Sequence, residues 1–162
     1  MVKKILLLIT IILLITSFSY AAILEEADYY QTNDLTGYTL VINDDANLLS
    51  ANQINLLKSD MYPLTEYGNI VFYSTTIYGS NTKQKANDYY YDLFRTNTGS
   101  VLIIDMAERY VFIYSDGENL KSLNQSKSEI ITDNIYTYLR REAYYDGAKR
   151  AFSEMHTVLE RW

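Results

Sequence analysis

The sequence predicts an α/β domain built as a three-layer sandwich, with a mostly parallel mixed sheet, one antiparallel hairpin and helices on both faces of the sheet. Short runs rich in β-branched and aromatic residues alternate with stretches whose apolar residues recur at every third or fourth position. The run at residues 69–78 is almost continuously apolar, as is typical of a strand buried on both faces. Two further runs, at residues 101–104 and 110–115, are separated by five residues and predict the hairpin.

The N-terminal residues predict a signal peptide over residues 1–21. Lys3 and Lys4 precede an apolar run from Ile5 to Ile15, and small residues that end at Ala21 suit cleavage. The run is shorter than the ~20 residues that a membrane-spanning helix needs, although retention of the segment as an anchor stays open. We therefore expect an extracytoplasmic protein, which is secreted, periplasmic or held at the cell surface.

The composition restricts the classes of function. Removal of the signal peptide would change the formal net charge from −6 to −8, so the mature surface should attract cations and repel nucleic acid and anionic lipid. No cysteine occurs in the sequence, which excludes thiol catalysis and thiolate metal sites. The single histidine, His156, falls on a predicted helix surface without a nucleophile motif beside it. We predict a divalent cation as a partner, no nucleic acid, and no membrane contact by the mature chain.

The first predicted elements follow a short acidic introduction. Residues 22–37 are polar and weakly periodic, and we interpret them as a leader segment before a domain over residues 38–160. A strand over residues 38–43 comes first. Ser50 then begins a capping box, which opens an amphipathic helix. Pro63 should kink or divide that helix, because proline removes a helical hydrogen bond.

The second half of the chain supplies the remaining elements. The apolar strand described above is followed by a helix over residues 83–94 and then by the hairpin. Ser126 with Glu129 forms a second capping box that opens the next helix. The sequence Tyr-Tyr-Asp-Gly at residues 144–147 should break it, and a last helix follows. The order β-α-β-α-β-β-α-α predicts a Rossmann-like sandwich.

Carboxylates lie at the ends of the predicted strands. Asp44 and Asp45 follow the first strand, and Asp105 ends the third. Because the carboxyl ends of parallel strands meet at one edge, these three are candidate ligands for Ca²⁺ or Mg²⁺, which prefer oxygen donors. The hairpin reverses direction, so Asp116 with Glu118 should form a second acidic edge. The alternative is that all of these residues cap turns and remain solvated.

The segment INDDANLLS, residues 42–50, resembles the V-N-D-x-A-G-x-L-S opening of the TPM domain family. In that match Asp44 takes the opening aspartate and Asn47 stands where the family has glycine. Glu108 and Arg109 match an acidic–arginine turn in the family's hairpin. Weaker matches follow in the family's order: EYGNIVFYSTT, ANDYYYDLF, GSVLIIDMAERYVFIYSDG and YYDGAKRAF.

The resemblance implies calcium binding and leaves two functions open. The first is a cell-envelope interaction or assembly module that binds a divalent cation through Asp44, Asp45 and Asp105. The alternative is a metal-assisted acid phosphatase acting on phosphomonoesters, in which Arg109 contacts the anion; no catalytic residue is predicted. A turn arginine that pairs with Glu108 or with solvent is the simpler interpretation of Arg109. The family's loops on either side of the hairpin are shortened here, which favours the module.

Overall fold

A computed structural model describes Leu24 and residues 26–161, so the predicted signal peptide and its cleavage point lie outside the described residues. The described part contains five strands, five α-helices and a short 3₁₀ helix. In chain order they are β1 (Tyr29–Thr32), β2 (Thr39–Asp44), α1 (Ala51–Met61), the 3₁₀ helix (Tyr62–Glu66), β3 (Asn69–Thr75), α2 (Thr82–Phe94), β4 (Gly99–Asp105), β5 (Tyr110–Asp116), α3 (Gly117–Ser122), α4 (Gln125–Leu139) and α5 (Tyr144–Glu160).

The strands form one mixed sheet in the order β1-β2-β3-β4-β5. Strands β2, β3 and β4 are parallel, while β1 and β5 run antiparallel to their neighbours. The predicted fold class and the predicted hairpin are confirmed. The sequence analysis missed β1, so the sheet begins within residues 22–37, the segment predicted as a leader. That strand lies at the edge of the sheet with mostly exposed side chains, and it therefore lacks the apolar alternation that marks a half-buried strand.

Helices cover both faces of the sheet. Alternate side chains of each central strand point to opposite faces, so Ile42 and Phe72 enter one core while Val41 and Val71 enter the other. The first core is closed by α1, α4 and α5, through residues that include Leu57, Ile135 and Phe152. The second core is closed by α2, through Ala86, Tyr90 and Leu93.

The two strand–helix–strand crossovers have opposite hands. Strands β2, β3 and β4 follow one another across the sheet in the same direction. The intervening helices α1 and α2 nevertheless lie on opposite faces. One crossover is therefore left-handed, whereas about 98% of such connections are right-handed. The loops that leave β2 and β3 therefore diverge to opposite faces of the sheet.

Helix boundaries confirm two predictions and correct a third. Ser50 and Gln53 form the predicted capping box, and Pro63 does divide the first helix, because a 3₁₀ turn replaces α-helix from Tyr62. The Ser126 capping box is wrong: α4 begins at Gln125, and the Asn124 side chain accepts a hydrogen bond from the backbone of Lys127. Asparagine is as good an N-cap as serine, and it comes first.

The break between the last two helices precedes the predicted position. Helix α4 ends at Leu139, and residues 144–147 form the first turn of α5 instead of interrupting a helix. Gly147 has a packing role there, because an added Cβ would lie 3.1 Å from Leu139 Cδ2 and 3.3 Å from Tyr138 Cβ. The glycine thus permits close contact between α4 and α5. No helix within the described residues is both long enough and apolar enough to cross a membrane.

Candidate functional site

Asp44 fastens the loop between β2 and α1. Its buried carboxylate accepts hydrogen bonds from the backbone N–H of Leu48 at 3.1 Å and of Leu49 at 2.7 Å. The Ser74 hydroxyl on β3 donates a third at 2.5 Å. Asn47, where the family has glycine, adopts a left-handed conformation with φ +52°, which asparagine tolerates. Three internal donors occupy most of the hydrogen-bonding capacity of Asp44, so its evident role is to hold this loop.

Asp105 forms a buried ion pair with Lys85. Its fully buried carboxylate accepts hydrogen bonds from Lys85 Nζ at 2.7 Å and Thr82 Oγ1 at 2.9 Å, both on α2. The backbone N–H groups of Ala107 and Glu108 donate at 3.1 and 3.2 Å. Burial by itself would raise the pKa of Asp105. The hydrogen bonds and the charge of Lys85 outweigh burial and hold that pKa below its ordinary value.

The structure separates Asp44 from Asp105. Asp44 lies opposite Ser74 in the sheet, and Asp105 lies opposite Thr75. Both aspartates are at the predicted edge, but β3 stands between them and they face opposite sides of the sheet, the first towards the α1 loop and the second towards α2. No group of three or more histidine, cysteine, aspartate or glutamate side chains in the described part of the chain is arranged to hold a metal ion. Asp44, Asp45 and Asp105 are therefore not brought together as one set of ligands.

Asp45 belongs instead to an acidic edge cluster, which we define as Glu26, Asp28 and Asp45. Partial burial raises the pKa of Asp45, and the negative charges of Asp28, Glu26 and Asp44 raise it further. Asp28 also accepts a hydrogen bond from the backbone N–H of Asp44 at 2.7 Å, which ties the segment before β1 to the end of β2. The sequence analysis missed Glu26 and Asp28, because only β1 brings the leader segment back to this edge.

A buried amide lies near the acidic edge cluster. Asn43, on β2, is 6% exposed; its Nδ2 donates to the Tyr89 hydroxyl at 3.0 Å, and its Oδ1 has no hydrogen-bond partner among the described residues. The Tyr89 ring stacks on Tyr73, with ring centroids 4.2 Å apart. Burial raises the pKa of Tyr89 against the opposing effect of the Asn43 hydrogen bond, and the charges of Asp45 and Asp28 add to the increase. A buried oxygen without a hydrogen bond lowers the stability of a protein, so the Oδ1 atom of Asn43 is a candidate ligand atom.

Arg109 lies at a cavity of about 730 Å³, between the β4–β5 hairpin and helix α4. The residue is exposed in the hairpin turn and has φ +51°, which is uncommon for a residue other than glycine or asparagine. It forms no ion pair with Glu108 or with any other residue that the structure describes. Arg109 is therefore exposed in the turn and does not pair with Glu108.

The second acidic edge has a local structural role. Asp116 caps α3, because its side chain accepts from the backbone N–H of Gly117 at 2.8 Å. Glu118 pairs with Lys121 at 2.6 Å, and both side chains are exposed. Helix α3 itself was not predicted from the sequence, although Asp116 could have been recognised as its N-cap.

Comparison with known proteins identifies related folds. Residues 42–158 match the model of the TPM domain family. A solution structure of the N-terminal domain of a protein from P. gingivalis is 20% identical, with a TM-score of 0.59, and the alignment covers 74% of this chain and 82% of that one. BA42 from the psychrophilic bacterium Bizionia argentinensis is 15% identical, with a TM-score of 0.55 and coverage of 70% and 82%. No curated protein matches the chain. At these identities the two structures establish similarity of fold alone.

Proposed function

The chain belongs to the TPM domain family, and from that premise we propose that it is an exported, non-catalytic module of the cell envelope. It binds a divalent cation, Ca²⁺ or Mg²⁺, at the acidic edge cluster and docks a protein partner. The observation that carries the cation proposal is that the chain brings Glu26, Asp28 and Asp45 together at one edge of the sheet; partial burial raises the pKa of Asp45, and the neighbouring carboxylates raise it further. A divalent cation would relieve this repulsion in the folded state.

The donor chemistry of the cluster fits a hard cation. Asp28 and Asp45 supply exposed carboxylates. Asn43, two positions before Asp45, has a buried Oδ1 without a hydrogen-bond partner among the described residues. Mg²⁺ commonly binds through one or two carboxylates while it keeps several waters, and Ca²⁺ accepts carboxylate, amide and water oxygens together. Because the described residues contain no group of three ionisable ligands arranged around one point, we expect a partly hydrated ion at an open site.

Metal-assisted hydrolysis of phosphomonoesters receives less support. Asp44 and Asp105, two of the three candidate cation ligands from the sequence, accept internal hydrogen bonds and face opposite sides of the sheet. A catalytic metal site needs protein ligands at one point and an open position for substrate. Asp44 and Asp105 do not meet at one point, and internal donors already occupy their carboxylate oxygens.

Thermal unfolding in Ca²⁺, Mg²⁺ or EDTA tests the cation proposal. At a hundredfold excess over the dissociation constant, the cation should stabilise the protein by ~2.7 kcal/mol. Asp45→Asn and Asp28→Asn should lose most of this increase, whereas the matched control Asp116→Asn should keep it. Equal responses in the wild type and all three variants, or no response in the wild type, would rule out the acidic edge cluster as the site.

Export is tested separately, by sequencing the N-terminus of the protein isolated from its natural source. The Lys-Lys pair, the apolar run and the small residues before Ala22 motivate the expectation that the mature chain begins at Ala22, or within a residue or two of it. A membrane-bound protein that retains Met1 would contradict signal-peptide cleavage.

A further inference from the structure

We propose that the cavity beside the hairpin binds the free carboxyl-terminal end of an extended peptide. This hairpin groove lies between the β4–β5 turn and helix α4, with the start of α5 at one end. The proposal rests on the proposed role as an interaction module and identifies a docking site and a class of partner for it. It does not depend on the cation, because none of the residues of the acidic edge cluster lines the groove.

The dimensions of the groove suit about five residues of extended chain. Along the helical wall the lining residues run from Glu129 to Arg140. At a rise of 1.5 Å per residue these eleven steps span ~16 Å. An extended peptide advances ~3.3 Å per residue, so about five residues cover the same distance. The volume of about 730 Å³ falls within the range of roughly 300–1,000 Å³ that is usual for ligand sites.

Two guanidinium groups in the groove can bind a terminal carboxylate. Arg109 lines the groove from the hairpin, and Arg140 lines it from the end of α4. Neither arginine has an ion-pair partner among the residues described. Arginine matches the planar, two-oxygen geometry of a carboxylate, and the resulting hydrogen bonds are charge-assisted.

The remainder of the lining suits peptide side chains. Tyr110 and Tyr136 are 51% and 56% exposed, and they line the groove together with Val111 and Leu139. Tyrosine offers a large contact surface at a low cost in conformational entropy. The groove can therefore bury apolar side chains next to the carboxylate.

The charge pattern along α4 favours a peptide over other anionic partners. Glu129 and Asp133 line the groove upstream of Arg140 on the same helix. Their charges would repel the phosphates of nucleic acid or of an anionic lipid surface, as would the net charge of −6. A peptide can carry a carboxylate at its end and a basic side chain a few residues earlier, and so can complement both signs.

The test uses an acetylated pentapeptide that begins with lysine and ends with phenylalanine and leucine, prepared once with a free carboxylate and once with a terminal amide. Each form is titrated into ¹⁵N-labelled protein, and the backbone amides and arginine side-chain N–H groups are followed by NMR. The free acid should shift the Nε–H signals of Arg109 and Arg140 and the amides of α4. The amide form should bind about tenfold more weakly, since it removes a charge-assisted contact.

Three variants sharpen the result. Arg109→Gln and Arg140→Gln should each weaken binding of the acid about tenfold and leave the amide form unchanged. Arg141→Gln is the matched control, because Arg141 is exposed beside Arg140 but does not line the groove; it should bind as the wild type does. Equal affinity for acid and amide, shifts confined to residues outside the groove, or no shift at millimolar peptide would each overturn the proposal.

The outcome is separable from that of the proposed cation function. The titration is repeated in Ca²⁺ and in EDTA, and the affinity for the acid should be the same in both. If the peptide does not bind but Ca²⁺ still affects thermal unfolding, the proposal for the groove is wrong and the cation proposal is not affected. Peptide binding without any cation effect would uphold the groove and count against the acidic edge cluster.

Discussion

The pair formed by Lys85 and Asp105 allows a quantitative test of how the strand-end carboxylates are stabilised. The Lys85 side chain is 8% exposed and that of Asp105 is fully buried, with 2.7 Å between Nζ and Oδ2. Lys85 also donates to the backbone oxygen of Ile77 at 2.5 Å. Lys85→Met keeps most of the length of the side chain but removes the ammonium group, which leaves Asp105 buried without a cation.

The expected cost of Lys85→Met is ~3–5 kcal/mol at pH 7, the usual consequence of removing one partner of a buried ion pair. The sign of its pH dependence follows from the pKa of Asp105, which is lowered in the wild type. The associated stabilisation is present above the unfolded pKa and is lost as pH falls through the folded pKa. The variant should hold a higher Asp105 pKa than the wild type, because burial is no longer opposed by the ammonium charge. The difference between the two proteins should therefore shrink as pH falls below ~4.

Urea unfolding of both proteins at pH 7 and at mildly acidic pH measures this difference. The matched control is Lys121→Met, which breaks the exposed pair with Glu118 and should cost less than about 0.5 kcal/mol. Addition of Ca²⁺ should not rescue Lys85→Met, because the carboxylate is closed off from solvent. A cost below ~1 kcal/mol at pH 7, or a cost that grows on acidification, would refute the reasoning that an internal ammonium stabilises this strand end.

Three further predictions concern neighbouring positions. Asp44→Ala should lower the free energy of unfolding by ~2–4 kcal/mol, because three donors lose their acceptor. A decrease below ~1 kcal/mol in urea unfolding would show that the loop does not need the Asp44 carboxylate. Asp45→Asn should raise stability at neutral pH without added cation. Because the pKa of Asp45 is raised in the folded protein, the contribution of this residue to folding stability is present below its pKa in the unfolded chain and is lost as pH rises. A melting temperature at pH 7 that is lower for the variant than for the wild type would contradict this prediction. Gly99→Ala should destabilise the protein by about 1–3 kcal/mol or more, since an added Cβ would collide with the backbone oxygen of Asn69; an unchanged melting temperature would exclude close packing there.

Local patterns in the sequence determined most of the secondary structure. The alternation of apolar runs with helical periodicity predicted the central strands and the helix faces, and the five-residue gap predicted the β4–β5 hairpin. Ser50 and Pro63 marked the beginning and the division of the first helix. These signals succeed because they depend on neighbours within a few residues. Strand β1 gave no such signal, because it is held by pairing with β2 and most of its side chains are exposed.

The grouping of the carboxylates was decided by the tertiary structure. The sequence placed Asp44 and Asp105 at one edge of the sheet, and that much is observed. Which face each side chain meets depends on the alternation within its own strand and on the side where the following helix packs, and the opposite hands of the two crossovers separate α1 from α2. Lys85 reaches Asp105 across 20 positions of the chain, and Asp28 reaches the end of β2 only because β1 turns back along it. Local periodicity cannot encode such contacts, since they arise when the sheet and its helices assemble.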